Sequence, residues 1–176
     1  AYFLPCVSGK DSMKNDYGSG EGKISIPPTL LFSLFGDHPD VRYTATSDLK
    51  PGESLYLIGQ SKQELGASEL SYMFREESRG ESGIGGIVPS IEPDRNLATY
   101  RALTKAIHSG LVASAHDCSD GGLAVAIAES CIGIDSGADI EISALRGFDD
   151  ELDKWGALFG ESLGRIMISI SPDNVE

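Results

Sequence analysis

"AHDCSDGGLAVAIAE", residues 115–129, carries two carboxylates three residues apart, then a glycine pair, then an almost wholly apolar run. A short apolar run, "LVASA" (111–115), leads into it. That order reads as a buried-type strand, a turn and an apolar helix over 121–132. Further strand and helix readings surround it. "SLYLIGQ" (54–60) is a short strand ending in glycine, and residues 63–74 read as helix with Leu65 and Leu70 among polar neighbours. Residues 94–109 read as helix because Leu97, Tyr100, Leu103 and Ile107 recur at three- and four-residue steps. Asp94 is its expected N-cap and Gly110 its stop. "ADIEI" (138–142) alternates like a half-exposed strand. Phe148, Leu152, Trp155 and Phe159 share a helical stripe, and "RIMISI" (165–170) is a last strand. Helices alternating with strands from residue 54 onward give an α/β or α+β class, with helices on a sheet.

The region before residue 54 is of another kind. Residues 2–8 are apolar and strand-like, and 8–23 read as a polar, glycine-rich loop. "ISIPPTLLFSLFG" (24–36) is β-rich, its proline pair suggesting an edge or a bend. Lys50-Pro51-Gly52 is a turn signal, and a domain boundary is expected near it. The abrupt apolar start, "AYFLPCVSG", reads like mid-strand, so the chain is expected to be a piece of something longer.

Bulk properties narrow the function. Of 176 residues, 40% are hydrophobic and 23% charged, a globular balance, and no run approaches the roughly 18 apolar residues that span a bilayer. A net charge of −13 repels nucleic acid backbones and anionic membranes, so neither is an expected partner. Cys6, Cys118 and Cys131 are odd in number and widely spaced, which fits neither a disulfide framework nor a zinc site. A reducing cytoplasm is the expected location.

The opening stretch admits two explanations. Ser119 or Asp120 could simply cap the helix. Capping leaves Asp117 and Gly121-Gly122 unexplained. A helix start offers N–H groups and partial positive charge to an anion, and glycines let backbone approach closely. Two carboxylates would oppose a phosphate unless a divalent cation lay between them, and Mg²⁺ accepts carboxylate and phosphate oxygens together. Asp117 and Asp120 are thus candidate metal ligands, with Ser119, Gly121 and Gly122 on the phosphate side. His116 is expected to be a structural hydrogen-bonding group. Cys118 has nothing basic enough in its sequence neighbourhood to activate it.

Other stretches are weaker. "SGKDSM" (8–13) offers Lys10 to a phosphate and Asp11 to a metal, but an ordinary polar turn explains it as well. "GSGEGK" (18–23) is not a phosphate loop, because Tyr17 stands where glycine is needed and Ile24 where serine or threonine is needed. It reads as a hairpin tip. "FGESLGR" (159–165) reads as a helix-to-strand turn, and Ser68 or Glu69 in "LGASE" (65–69) as a helix start.

Taken in order, "VSGKDSM", "ISIPPTLLFSLFG", "LKPGESLYLIG", "ELGASE", "GLVASAHDCSDGGLAVAIAE" and "LFGESLGR" resemble the second half of the phosphoribosylformylglycinamidine synthase family, across nearly the whole chain. The most specific elements are His116-Asp117-x-Ser119-Asp120-Gly121-Gly122 and Gly9-Lys10-Asp11-Ser12-Met13. The resemblance implies an α+β fold of the aminoimidazole ribonucleotide synthetase superfamily. Residues 1–48 would be the tail of an N-terminal ATP-binding domain, and 49–176 a C-terminal domain with a mixed sheet covered by helices. It implies an ATP-dependent carbon–nitrogen ligase of purine biosynthesis with glutamine as amido donor, and Mg²⁺ and ATP as cofactors. Nucleotide or phosphate would contact Lys10, Asp11, Ser12, Ser119, Gly121 and Gly122, and Asp117 and Asp120 would hold the metal. Expected partners are the ribonucleotide substrate and the rest of the synthase, including a glutaminase domain or subunit. Dimerisation through exposed strands, or disorder, is expected of the first segment. Two alternatives stand beside this. One is another ATP-dependent synthetase or kinase of the superfamily; the other is a non-catalytic scaffold that retains a structural nucleotide.

Overall fold

Three consecutive residues of the last strand, Met167, Ile168 and Ser169, are all buried. Successive strand side chains point to opposite faces, so this strand is covered on both. The computed structural model describes residues 2, 4–5, 7–12, 15–74, 86–145 and 152–175. Phe148, Cys6 and Met13, named above, lie outside the described residues. The chain divides into two units, 1–41 and 42–176.

The first unit is a ribbon of antiparallel strands. β1 (Ser8–Ser12) pairs with β4 (Thr29–Ser33), Lys10 opposite Leu31, and β2 (Asp16–Tyr17) pairs with β3 (Ile24–Ser25). Residues 8–12, expected in a loop, are therefore strand, because β4 supplies a ladder that local composition does not announce. The tip is a single 3-10 turn, Gly20–Gly22, as the hairpin reading of 18–23 expects. Leu30, Leu31 and Phe32 are 61%, 59% and 63% exposed, so both faces of the ribbon are open.

The second unit is α+β. β5 (Ser54–Ile58), β6 (Ser114–Asp117) and β7 (Ile166–Ile170) form an antiparallel sheet in the order β5-β7-β6. Thr46 adds a parallel bridge to Ser114. Across the buried centre, Ser114 and Ser169 hydroxyls lie 2.7 Å apart, and Ser169 donates to Glu53 at 2.7 Å, so these polar groups are satisfied. Short α1 (Glu69–Met73) is followed by α2 (Pro93–His108), α3 (Gly122–Ile132) and α4 (Lys154–Phe159). α3 turns Leu123, Ala126 and Ser130 inward, and Leu123 and Ala126 join Leu49, Cys118 and Met167 in the core. No helix of the described residues is long and apolar enough to cross a membrane.

Several boundaries differ from the sequence expectation, each for a local reason. α1 begins at Glu69, not 63, because Gly66 donates to Ile87 instead and Ala67 is left-handed at φ 59°. Ser68 then caps α1 by accepting from the Ser71 amide, as expected. α2 starts at Pro93, with Glu92 in place of Asp94 as N-cap, since proline's fixed φ suits a first helical position. Residues 138–142 form no ladder among the described residues; the Glu141 side chain caps a 3-10 turn, Ile142–Ala144, and competes with strand pairing. β6 begins at Ser114, not 111, and reaches Asp117, so His116 and Asp117 are strand residues at the edge of the turn.

Candidate functional site: the acidic turn between β6 and α3

The turn begins where β6 stops. The Cys118 amide donates to the Arg165 carbonyl at 3.0 Å, the last tie to the sheet. Asp117, 71% exposed, accepts from the Ser119 hydroxyl where the turn begins, and Asp120, three residues on, is exposed too. His116 is engaged on both ring nitrogens: Nδ1 meets the Asp117 carbonyl at 2.7 Å and Nε2 meets Glu129 of α3 at 3.0 Å. That is the structural tie expected of it. Cys118 is buried, and burial pushes its thiol up, only partly opposed by the Arg165 charge.

The cap of α3 is neither Ser119 nor Asp120. It is Gly121, at φ 78°, with no side-chain capping bond of its own. A distant carboxylate does the work: Glu161 Oε1 accepts from the Gly121 amide at 2.9 Å. The Gly122 amide donates to the Ser119 carbonyl at 2.9 Å, so both glycine amides have acceptors within the fold. The glycine pair also has a packing cause. A Cβ on Gly122 would lie 2.6 Å from the Gly160 carbonyl oxygen and 2.8 Å from that of Leu158.

Three stretches far apart in sequence thus meet here. The same Glu161 Oε1 accepts from the Glu69 amide at 2.9 Å, and the Glu161 amide donates to the Glu64 carbonyl at 3.3 Å. Beneath them Arg165 is buried and donates to Ser61 Oγ at 3.0 Å, the Ala157 carbonyl at 3.3 Å and the Gly160 carbonyl. Burial pulls its guanidinium below the ordinary value, opposed by Cys118, Glu64 and Glu161. The sequence reading singles out Glu161, Ser162 and Arg165 in "FGESLGR" but, favouring a plain turn, gives Glu161 and Arg165 no role. One signal was present: an arginine directly before an apolar strand, where a charge needs partners.

Lys10, Asp11 and Ser12 lie in the first unit, on β1, where Lys10 Nζ bonds the Asp11 carbonyl at 2.9 Å and Ser12 Oγ at 3.0 Å. Among the described residues no three His, Cys, Asp or Glu side chains gather as a metal cluster. Asp117 and Asp120 are exposed carboxylates, the donor type Mg²⁺ takes when it keeps several waters and binds through one or two carboxylates plus phosphate oxygens. A hollow of about 850 Å³ lined in part by Leu55, Leu57, Leu123, Ile127 and Met167 includes none of residues 117–122.

Solved structures share this fold. Thermotoga maritima PurL complexed with FGAR matches at a TM-score of 0.60 and 20% identity, covering 76% of this chain and 22% of that one. The same organism's PurL complexed with ATP matches at 0.57 and 17%, covering 84% and 21%. Its phosphoribosylformylglycinamidine synthase II matches at 0.56 and 19%, covering 74% and 20%. The chain therefore spans about a fifth of the length of these proteins. A family model, AIR synthase related protein, C-terminal domain, matches residues 50–176. With that model covering most of the chain, and the acidic turn and its supports inside the match, the protein belongs to the AIR synthase related protein C-terminal domain family.

Proposed function

We propose that this chain is a segment of a phosphoribosylformylglycinamidine synthase. That ligase converts formylglycinamide ribonucleotide, glutamine, ATP and water to formylglycinamidine ribonucleotide, glutamate, ADP and phosphate, the water being consumed in releasing ammonia from glutamine. The chemistry needs activation, because an amide oxygen is a poor leaving group. Transfer of the γ-phosphoryl group to that oxygen makes it a good one; ammonia from glutamine then adds at the carbon and phosphate departs. In this reading residues 1–48 are the end of an N-terminal ATP-binding domain, and 49–176 its C-terminal companion. The open faces of the ribbon are then covered by the rest of the synthase, or by a second copy in its absence.

One observation carries the reading: "ELGASE", "HDCSDGG" and "FGESLGR", three stretches of the family likeness, converge on a single acidic turn. Asp117 and Asp120 would hold Mg²⁺, which supplies positive charge to phosphate oxygens. Ser119, Gly121 and Gly122 keep the turn small and free of bulky side chains on the phosphate side. Lys10, Asp11 and Ser12 are the proposed nucleotide- or phosphate-binding residues of the first unit. That the Thermotoga maritima PurL structures described above include complexes with FGAR and with ATP supports this ligand class.

A scaffold reading keeps one specific support: the Gly121 and Gly122 amides are already bonded inside the fold, so the pair also has a purely structural cause. Substituting Asp117 by Asn in the full synthase separates the two. The ligase reading expects a loss of at least about a hundredfold in ammonia-dependent turnover, typical of removing a charge-stabilising group, at unchanged melting temperature. Unchanged turnover with a lowered melting temperature supports the scaffold.

A further inference from the structure

Glu161 is an unusual link. A single carboxylate oxygen receives the amide that opens α3, from Gly121, and the first amide of α1, from Glu69, each at 2.9 Å. Both are helix-start donors with no partner inside their own helix. The segment bearing Glu161 is fixed as well: its amide reaches the Glu64 carbonyl, and Gly160 is gripped from beneath by Arg165. Gly122 packs onto the same 158–160 backbone, so the α3 end of the acidic turn rests on that segment. On the other side, the 65–69 turn is tensioned by left-handed Ala67 and tied to Ile87 through Gly66.

We infer that Glu161 is a positioning residue: one oxygen that couples the acidic turn 117–122 to the 65–69 turn, so a change at either is felt at the other. Its bearing on ligand binding rests on the reading of 117–122 as a metal–phosphate turn; the coupling itself does not. Charge also matters. The carboxylate sits on the Gly121 amide, one residue after Asp120, and so places a negative group at the helix's positive end. It thereby steers the turn toward a cation and away from a bare anion.

The test is amide hydrogen exchange by NMR on the 176-residue chain and two variants. Glu161→Gln keeps the accepting Oε1 and removes the charge; Glu161→Ala removes the acceptor. The coupling expects exchange at both Gly121 and Glu69 to rise about ten- to a hundredfold in Glu161→Ala, the range for losing a charge-assisted bond, and to stay near wild type in Glu161→Gln. Should Glu161→Ala not fold, Glu161→Asp, which draws the carboxylate back by one methylene, is read the same way. Unchanged exchange at either amide overturns the coupling. A second arm adds Mg²⁺ with ADP. The expected result is that protection at Glu69 responds in wild type and in Glu161→Gln and is silent in Glu161→Ala; an equal response in Glu161→Ala overturns it. Silence at residues 117–122 in wild type counts against the ligand reading alone, since the first arm tests the shared Glu161 bond without any ligand.

Discussion

Two stretches in this chain pair glycine with acid after an apolar run, and their surroundings differ in kind. Residues 8–12 lie on a two-stranded ribbon, where the Lys10 ammonium bonds its own neighbours, Asp11 and Ser12. Residues 116–122 are fastened by groups from Glu129, which meets His116, and from Glu161 and Arg165, which accept from the Gly121 and Cys118 amides. A strand on a ribbon with open faces takes its setting from whatever packs against it. A turn held by remote side chains is pre-shaped, and pre-shaping is what a metal–phosphate site needs before its ligand arrives.

Breaking the remote support should therefore cost far more than altering the ribbon. The largest effect is expected at Arg165. Arg165→Met leaves the Ser61 hydroxyl and the Ala157 and Gly160 carbonyls short of a buried donor, and should cost at least about 3 kcal/mol. Loss of the cooperative thermal transition of the second unit, followed by circular dichroism, is the readout. Next is Gly122→Ala, which forces a left-handed alanine against two carbonyl oxygens and should cost about 2–3 kcal/mol in a denaturant melt. A smaller effect is expected at Asp153, the N-cap of α4, which accepts from Trp155 and Gly156 at 2.8 and 2.9 Å. Asp153→Ala should cost about 1 kcal/mol.

The cap also has a pH signature. The Gly156 amide, chiefly, holds the Asp153 carboxyl below its ordinary value of 3.8. A depressed folded-state pKa contributes stability above the unfolded value, which is lost as pH falls through the folded one. The melting-temperature gap between wild type and Asp153→Asn should be constant near neutrality and close only below about pH 4. The smallest effect belongs to the ribbon: Lys10→Ala should change stability by less than about 0.5 kcal/mol. A larger loss there, or tolerance of Arg165→Met, would erase the contrast between the two regions.

The same contrast explains what could be read from sequence. α3 was legible because its apolar run is long and bounded by glycines, and β7 because a short apolar run follows a turn. Ser68 as a cap was legible because capping acts within three residues. Residues 138–142 were not, since alternation alone cannot reveal that Glu141 would cap a 3-10 turn. Glu161 could not be assigned its role from the sequence, as its partners lie 40 and 92 residues away. The acids at 117 and 120 were conspicuous, whereas the groups that shape their turn were not.

The most direct test of a divalent cation at the acidic turn uses Mn²⁺ as the probe in a paramagnetic NMR titration of the 176-residue chain. The account predicts selective broadening of amide signals from residues 117–122 that disappears in Asp117→Asn. Broadening centred elsewhere, or identical in the variant, would contradict it.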